Sequence, residues 1–179
     1  NYRKYRNPEI NRRATKRNIM MNFFKQLYLN NFFFYLLIGI VALFGMAFVF
    51  PALYNATWYL LFILLVFLVI DILILFSNKN GIEAHRSTPE KLSNGDENPI
   101  VVTVKNFYTF AIHTKIIDEI PFQFQVRNFE IKRKIKNAAQ DEVQYYLRPT
   151  ERGEYHFGNL NVYVTSPLQL VSKRYRFDK

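Results

Sequence analysis

The sequence predicts a transmembrane α-helical hairpin followed by an all-β domain, an antiparallel Ig-like β-sandwich of about seven or eight strands. Two apolar blocks, 32–50 and 58–76, carry a single charge between them, Asp71. Each block has 19 residues, and at the helical rise of about 1.5 Å per residue it would cross the hydrocarbon core of a bilayer. From Gly81 onwards the apolar residues instead alternate with polar ones, which is typical of half-buried strands.

Two other interpretations of the apolar blocks fit less well. A buried helical pair in a soluble protein should show a polar face on each helix, and neither block has one. A cleaved signal peptide should have a shorter apolar region followed by an Ala-x-Ala-like site, which is absent before the second block. The short 51–57 segment then predicts a turn between antiparallel helices.

Small residues recur at intervals of three in the first apolar block, at Gly39, Ala42 and Gly45. Such residues let helices approach closely in lipid. We expect this patch to pack against the second block, which is already tethered to the first; oligomerisation is the alternative.

The positive charge of the chain is concentrated before the first apolar block. The net charge is +10, and residues 1–31 hold eight basic side chains against one acid. We interpret 1–31 as a basic arm facing lipid next to a membrane span, in preference to nucleic-acid binding. The membrane-surface cluster expected here consists of Arg12, Arg13, Lys16, Arg17 and Lys25.

The charges that flank the hairpin, 32–76, predict its orientation. The arm is basic, the 51–57 turn has no charge, and Lys79, Arg86 and Lys91 follow the second block. Positive-inside counting therefore places both termini and the 77–179 β-domain on the cytoplasmic side of the membrane.

Asp71 has two interpretations. An acid within a membrane span is a candidate functional group, such as a proton relay in a small transporter or channel subunit. Asp71, however, lies five residues before the end of its block, where water can reach it, and no second charge in the spans could pair with it. A structural or interfacial acid is therefore favoured, and transport is the alternative.

Turn residues separate the alternating segments of the β-domain. The predicted strands lie at 100–105, 112–116, 122–126, 143–147, 155–157 and 160–164, with a basic strand at 131–136. Lysines on a strand commonly protect a sheet edge, so we expect 131–136 at an edge; contact with anionic lipid or an acidic partner is the alternative.

No arrangement of residues predicts an active site. Cys is absent, the three His are isolated, and neither HExxH, GxxxxGK nor GxSxG occurs. The sequence therefore predicts no enzyme activity, no metal and no cofactor.

Two turn motifs have structural explanations. Gly153 could adopt the positive φ of a tight turn flanked by Arg152, and Tyr155 and Phe157 could bury their rings. Pro167, followed by Leu168, would end one strand and redirect the chain.

The order of these features resembles the bacterial family called domain of unknown function 58. A basic start and an apolar hairpin precede a β-domain carrying Arg-Gly-x-Tyr-x-Phe-Gly at 152–158 and Ser-Pro-Leu-x-Leu at 166–170. The resemblance implies a fragment of a larger envelope-associated protein, in which a von Willebrand A-like domain would follow. It also implies a MoxR-type AAA+ ATPase as the protein partner.

The expected function is a non-enzymatic protein-interaction or scaffold module anchored in the bacterial inner membrane. Its expected partners are the lipid bilayer and a protein of the MoxR type, and the oligomeric state is left open.

Overall fold

The computed structural model describes residues 23–78 and 80–177, and its two long helices come near the start of these residues. Helix α1 spans Asn31–Val49 and helix α2 spans Leu53–Ser77. The predicted hairpin is confirmed. Helix α2 starts five residues earlier than predicted, because Asn55 and Thr57 continue it: the Thr57 hydroxyl donates to the Leu53 carbonyl at 2.9 Å, so it does not disturb the helix.

The two helices pack along a seam that repeats every seven residues. The buried positions are Phe33, Ile40 and Ala47 on α1, and Thr57, Leu64 and Asp71 among those on α2. This spacing is typical of left-handed, coiled-coil-like packing. Gly39 and Gly45 lie off the seam, and a Cβ added at either would meet no atom within 4 Å, so the expectation that these glycines pack against the second helix is wrong.

Most of the apolar surface of the hairpin is not covered by protein. Only 17% of the most apolar 18-residue window of each helix is buried. A core helix of a soluble protein would be mostly buried, whereas side chains such as Phe48 and Phe62 are 91% and 65% exposed. Both helices are long and apolar enough to cross a membrane.

Eight strands form two antiparallel sheets in the described residues. They are β1 Leu27–Leu29, β2 Ile82–Ser87, β3 Asn98–Asn106, β4 Ile112–Asp118, β5 Ile131–Ile135, β6 Gln140–Leu147, β7 Leu160–Thr165 and β8 Val171–Phe177. One sheet has the order β1-β8-β7-β4-β5 and the other β2-β3-β6. The sheets enclose one core, in which Val102 and Val104 of β3 and Ile116 and Val162 of the larger sheet are fully buried. The predicted β-sandwich is confirmed.

The strand predictions are confirmed at β3, β4, β6 and β7 and wrong at two places. After Pro121 the chain forms a 3-10 helix, Phe122–Phe124, instead of a strand, and it leaves Phe122 86% exposed. The 155–157 segment has no regular structure.

Both edges of the larger sheet are defined by short strands. The basic strand β5 lies at one edge, as expected. The other edge is β1, which pairs with β8 between Leu29 and Val171. Residues 27–29, assigned above to the basic arm, are therefore part of the β-domain, and the hairpin is inserted between β1 and β2.

The antiparallel pairing gives the β-domain two distinct ends. Strand β1 runs into α1 and β2 leaves α2, so the loops at 107–111, 136–139 and 166–170 share the end next to the helices, which we call the proximal end. The loops at 88–97, 119–130 and 148–159 lie at the distal end. The three proximal loops contain no acid, whereas the distal loops contain seven.

Candidate functional site: the helix–domain junction

Asp71 joins the hairpin to the β-domain. Its side chain is fully buried on the seam of α2, near the end where the β-domain begins. One carboxylate oxygen accepts a hydrogen bond from the Ser166 hydroxyl. The other accepts from the backbone N–H groups of Leu170 at 3.1 Å and Val171 at 2.9 Å. Three donors from one turn of the β-domain therefore converge on a single carboxylate of a helix.

The β7–β8 turn presents these donors because of its backbone conformation. Pro167 redirects the chain after Ser166, and Gln169 has a left-handed φ of 59°, with its N–H bonded to the Ser166 carbonyl at 3.2 Å. This turn aims the next two N–H groups at the helix. Successive backbone N–H groups of this kind donate to an anion and form a favourable binding site for it.

Helix α1 is attached to the same turn through Asn30. The Asn30 backbone N–H donates to the Leu170 carbonyl at 3.0 Å, and its side-chain amide donates to the Gln169 carbonyl at 3.0 Å. The Ser172 hydroxyl donates to the Asn30 side-chain oxygen at 2.6 Å. Both helices are thus bonded to the 166–172 segment.

The carboxyl end of α2 is capped by the β-domain. The Lys173 ammonium donates to the carbonyls of Asn78 at 3.1 Å and Leu75 at 3.4 Å. It also lies 4.9 Å and 4.7 Å from the ring centres of Phe76 and Tyr175. A cation at this position is stabilised by the helix dipole and by the two aromatic faces, which explains how Lys173 can be buried.

Tyr108 completes the contact from the proximal 107–111 loop. Its hydroxyl bonds to the Leu75 carbonyl at 2.8 Å and to the Tyr175 hydroxyl at 2.7 Å. Burial, with the Tyr175 hydrogen bond, raises the pKa of Tyr108 well above its usual range, so the phenol stays protonated. Gly81 gives the ring its space, because a Cβ at that position would lie 2.2 Å from it.

This geometry bears on the two interpretations of Asp71. Both carboxylate oxygens are occupied by donors of the β-domain, and the side chain faces a packed turn. The arrangement favours the structural interpretation, whereas transport stays an untested prediction.

The residues of the two turn motifs lie at opposite ends of the β-domain. Pro167 and Leu168 are at the junction, whereas Arg152, Gly153 and Tyr155 are in a distal loop. The expectation of a positive φ at Gly153 is wrong, since Gly95 has the only positive glycine φ among the described residues.

The aromatic residues of the distal motif differ in their burial. Phe157 is buried as expected. Tyr155 is only half-buried: its ring centre lies 4.7 Å from that of Phe124, with the two rings tilted by 33°, and its hydroxyl donates to the Glu151 carbonyl at 2.6 Å. Arg152, in the same loop, is exposed.

Phe157 packs against an ion pair that joins the two sheets. Arg86 of β2 donates to Asp118 of β4 at 2.5 Å, and the guanidinium lies 4.6 Å from the Phe157 ring centre. The Tyr145 hydroxyl donates to the second Asp118 oxygen at 2.6 Å. Burial raises the pKa of Asp118, against the opposite effects of Tyr145 and Arg86. This cluster is closed by packing and holds the sandwich together.

Of the predicted membrane-surface cluster, Arg12, Arg13, Lys16 and Arg17 lie outside the described residues, and Lys25 is exposed. Within residues 23–78 and 80–177 no group of His, Asp or Glu side chains is arranged to hold a metal ion.

Sequence reasoning missed Asn30, Tyr108 and Lys173 at the junction. The only signal for Lys173 is its spacing, since Val171, Lys173 and Tyr175 alternate on one face of a strand. A cation at an inward position predicts a buried partner, which here is the end of α2.

Comparisons with known proteins give structural likeness alone. No family model matches the sequence, and no curated protein matches it. Among solved structures, the chain is similar to the ASH / PapD-like domain of human CEP192, with 13% identity and a TM-score of 0.41 over 54% of this chain and 82% of that one. It is also similar to a β-glucosidase from Listeria innocua, with 15% identity and a TM-score of 0.27 over 54% of this chain and 16% of the enzyme.

Proposed function

We propose that this chain is a membrane-anchored, non-enzymatic interaction module of the bacterial inner membrane. The observation that carries the proposal is the contrast between the two faces of the hairpin. Outward-facing side chains are apolar and uncovered, while the inward-facing Asp71 is bonded to the β-domain. The helices would thus anchor the β-domain and also fix its position relative to the bilayer.

The charge distribution supports a cytoplasmic β-domain. The basic arm directly precedes α1 in the sequence, α1 begins next to the β-domain, and the 50–52 connection at the other end of the hairpin has no charge. The proximal loops, which would face the anionic leaflet, contain Lys136 and no acid. This distribution avoids repulsion between the β-domain and the membrane surface.

The distal end is the surface best placed for a protein partner. It is farthest from the helices, and it exposes Phe122, which lines a small pocket together with Glu151 and Tyr155. The latter two residues also line a groove of about 660 Å³, with Glu90 and Glu154. By the resemblance described above, we propose a MoxR-type AAA+ ATPase as the partner and a von Willebrand A-like domain as the continuation of the full-length protein.

Anchoring and orientation are tested in cells. The chain should stay in the membrane fraction after carbonate extraction, and a cytoplasmic reporter fused after residue 177 should be active. A chain extracted by carbonate would refute the anchor, and an active reporter of the periplasmic type would refute the orientation.

The partner is tested by co-purification with a MoxR-type ATPase from the same genome. The substitution Phe122→Ser should reduce recovery of the ATPase, while Phe62→Ser, on an exposed face of α2, should leave it unchanged. Equal recovery with both variants would exclude the distal end as the docking surface.

A further inference from the structure

A groove of about 810 Å³ lies in the corner between the outer face of the larger sheet and the start of α1. One wall is largely apolar, with Tyr28 of β1 39% and Phe32 of α1 49% exposed. The facing wall is cationic and includes Lys132 and Lys134 of the edge strand β5. Within the described residues, therefore, the groove is amphipathic across its width.

The strand register places the cationic wall close to the helix ends. Thr165 directly precedes Ser166, which is bonded to Asp71 of α2. His113 pairs with Thr165, and Lys134 pairs with His113, so Lys134 lies in the row of residues nearest the junction. Lys132 is two residues further along β5, about 7 Å away at the rise of a strand.

The charge of this groove is positive. Lys115, Lys132, Arg133 and Lys134 line it, and no acid does. Glu130 lies nearby, 2.7 Å from Lys115 and 3.2 Å from Lys132, and Arg133 is 4.0 Å from Asp141. Two acids thus offset four cations, and among the described residues Lys134 has no acidic partner.

We propose that this groove binds the headgroup of an anionic phospholipid from the leaflet next to the β-domain, where α1 begins and α2 ends. The inference rests on the membrane anchoring proposed above. The phosphate would contact Lys132 and Lys134, and the glycerol and upper acyl chains would lie along Tyr28 and Phe32. A soluble phosphate ester would use the cationic wall alone, so the apolar wall selects a lipid.

The test is a lipid titration of the full chain, purified in detergent and measured by native mass spectrometry. The probes are phosphatidylglycerol, phosphatidylcholine and glycerol 3-phosphate. The variant is Lys132→Gln/Lys134→Gln, and the control, Lys91→Gln/Arg127→Gln, removes the same charge from exposed distal positions.

Phosphatidylglycerol should bind more tightly than phosphatidylcholine. The groove variant should raise the apparent Kd for phosphatidylglycerol by about fivefold for each lysine removed, and the control variant should leave this Kd unchanged. An unchanged Kd in the groove variant, or an equal loss in the control, would overturn the inference. So would glycerol 3-phosphate binding as tightly as the lipid. The proposal of membrane anchoring is refuted only if carbonate extracts the wild-type chain from membranes. The anchoring and lipid-binding proposals can therefore fail independently of each other.

Discussion

Asp71 of the second helix and Ser166 of the β-domain are hydrogen-bonded partners although 95 positions separate them in the sequence. The bond forms because a seven-residue repeat turns Asp71 inward, where the β7–β8 turn also presents the Leu170 and Val171 N–H groups to it. Through this bond and those to Leu170 and Val171, Asp71 links the second helix to the β-domain.

Replacing Asp71 with Ala should lower the free energy of unfolding by about 2–4 kcal/mol, because the N–H groups of Leu170 and Val171 would lose their buried acceptor. Thermal unfolding in detergent would measure the loss. The control is Asp96→Ala in an exposed distal turn. Equal stability of the two variants would contradict the structural role, and proton flux in liposomes abolished by Asp71→Asn would favour transport instead.

Gly81→Ala should destabilise the junction, because the new Cβ would lie 2.2–2.4 Å from the ring of Tyr108. We expect a loss of about 1–3 kcal/mol, typical of overpacking. Gly153→Ala is the matched control, since nothing lies within 4 Å of a Cβ there and φ is not positive. In a protein that also carries Tyr108→Leu, Gly81→Ala should lower the free energy of unfolding by less than it does in the wild-type protein. An equal loss in the two proteins would show that the Tyr108 ring is not its cause.

Removal of Arg86 should be costly, because it leaves Asp118 buried without its cation. We expect Arg86→Met to lower the free energy of unfolding by about 3–5 kcal/mol, and Arg86→Met/Asp118→Asn to recover part of this, since the neutral amide still accepts from Tyr145. Lys115→Met, which breaks an exposed pair with Glu130, should cost less than about 1 kcal/mol. Denaturant unfolding of the four proteins gives the comparison, and a double variant less stable than Arg86→Met would contradict it.

Glu119 should make stability depend on pH in the acidic range. Hydrogen bonds from the Asn159 backbone and from the Asn161 and Asn159 side chains lower the pKa of Glu119 below its usual value of 4.5. A carboxylate whose pKa is lower in the folded state than in the unfolded state stabilises the fold at pH values above its unfolded-state pKa. This contribution is lost as the pH falls through the folded-state pKa. Because the group is largely exposed, the effect should be small.

The measurement is the unfolding midpoint between neutral pH and pH 3. Glu119→Gln should flatten the decline below about pH 4.5, whereas Glu151→Gln, an exposed acid in another distal loop, should keep the wild-type slope. A wild-type slope in Glu119→Gln would show that this carboxylate does not titrate with folding.

The parts of the fold that sequence predicts are those with local patterns. Composition alone defines the hairpin, and strict alternation defines β3 and β4. The two longer strands that were missed, β2 and β8, each turn a cation inward, Arg86 in one and Lys173 in the other. Their partners are Asp118 and the carbonyls of α2, which no local pattern can show.

The opposite error occurs at 122–126, where alternation predicts a strand that does not form. Pro121 starts a 3-10 turn, and Gln125 follows with a left-handed φ of 52°. The helix–domain junction could not be predicted either, because its contacts depend both on which face of α2 points inward and on how β7 pairs with β8.

The pairing of β1 with β8 imposes an order on synthesis. Asn30 and Ser172 are bonded across 142 positions, so β1 leaves the ribosome long before its partner strand is made. In the membrane-anchored protein proposed above, the apolar hairpin is therefore available for insertion while the larger sheet is still open between β7 and β1. Strand β8 closes that gap, so the larger sheet is completed only after the whole hairpin has been synthesised.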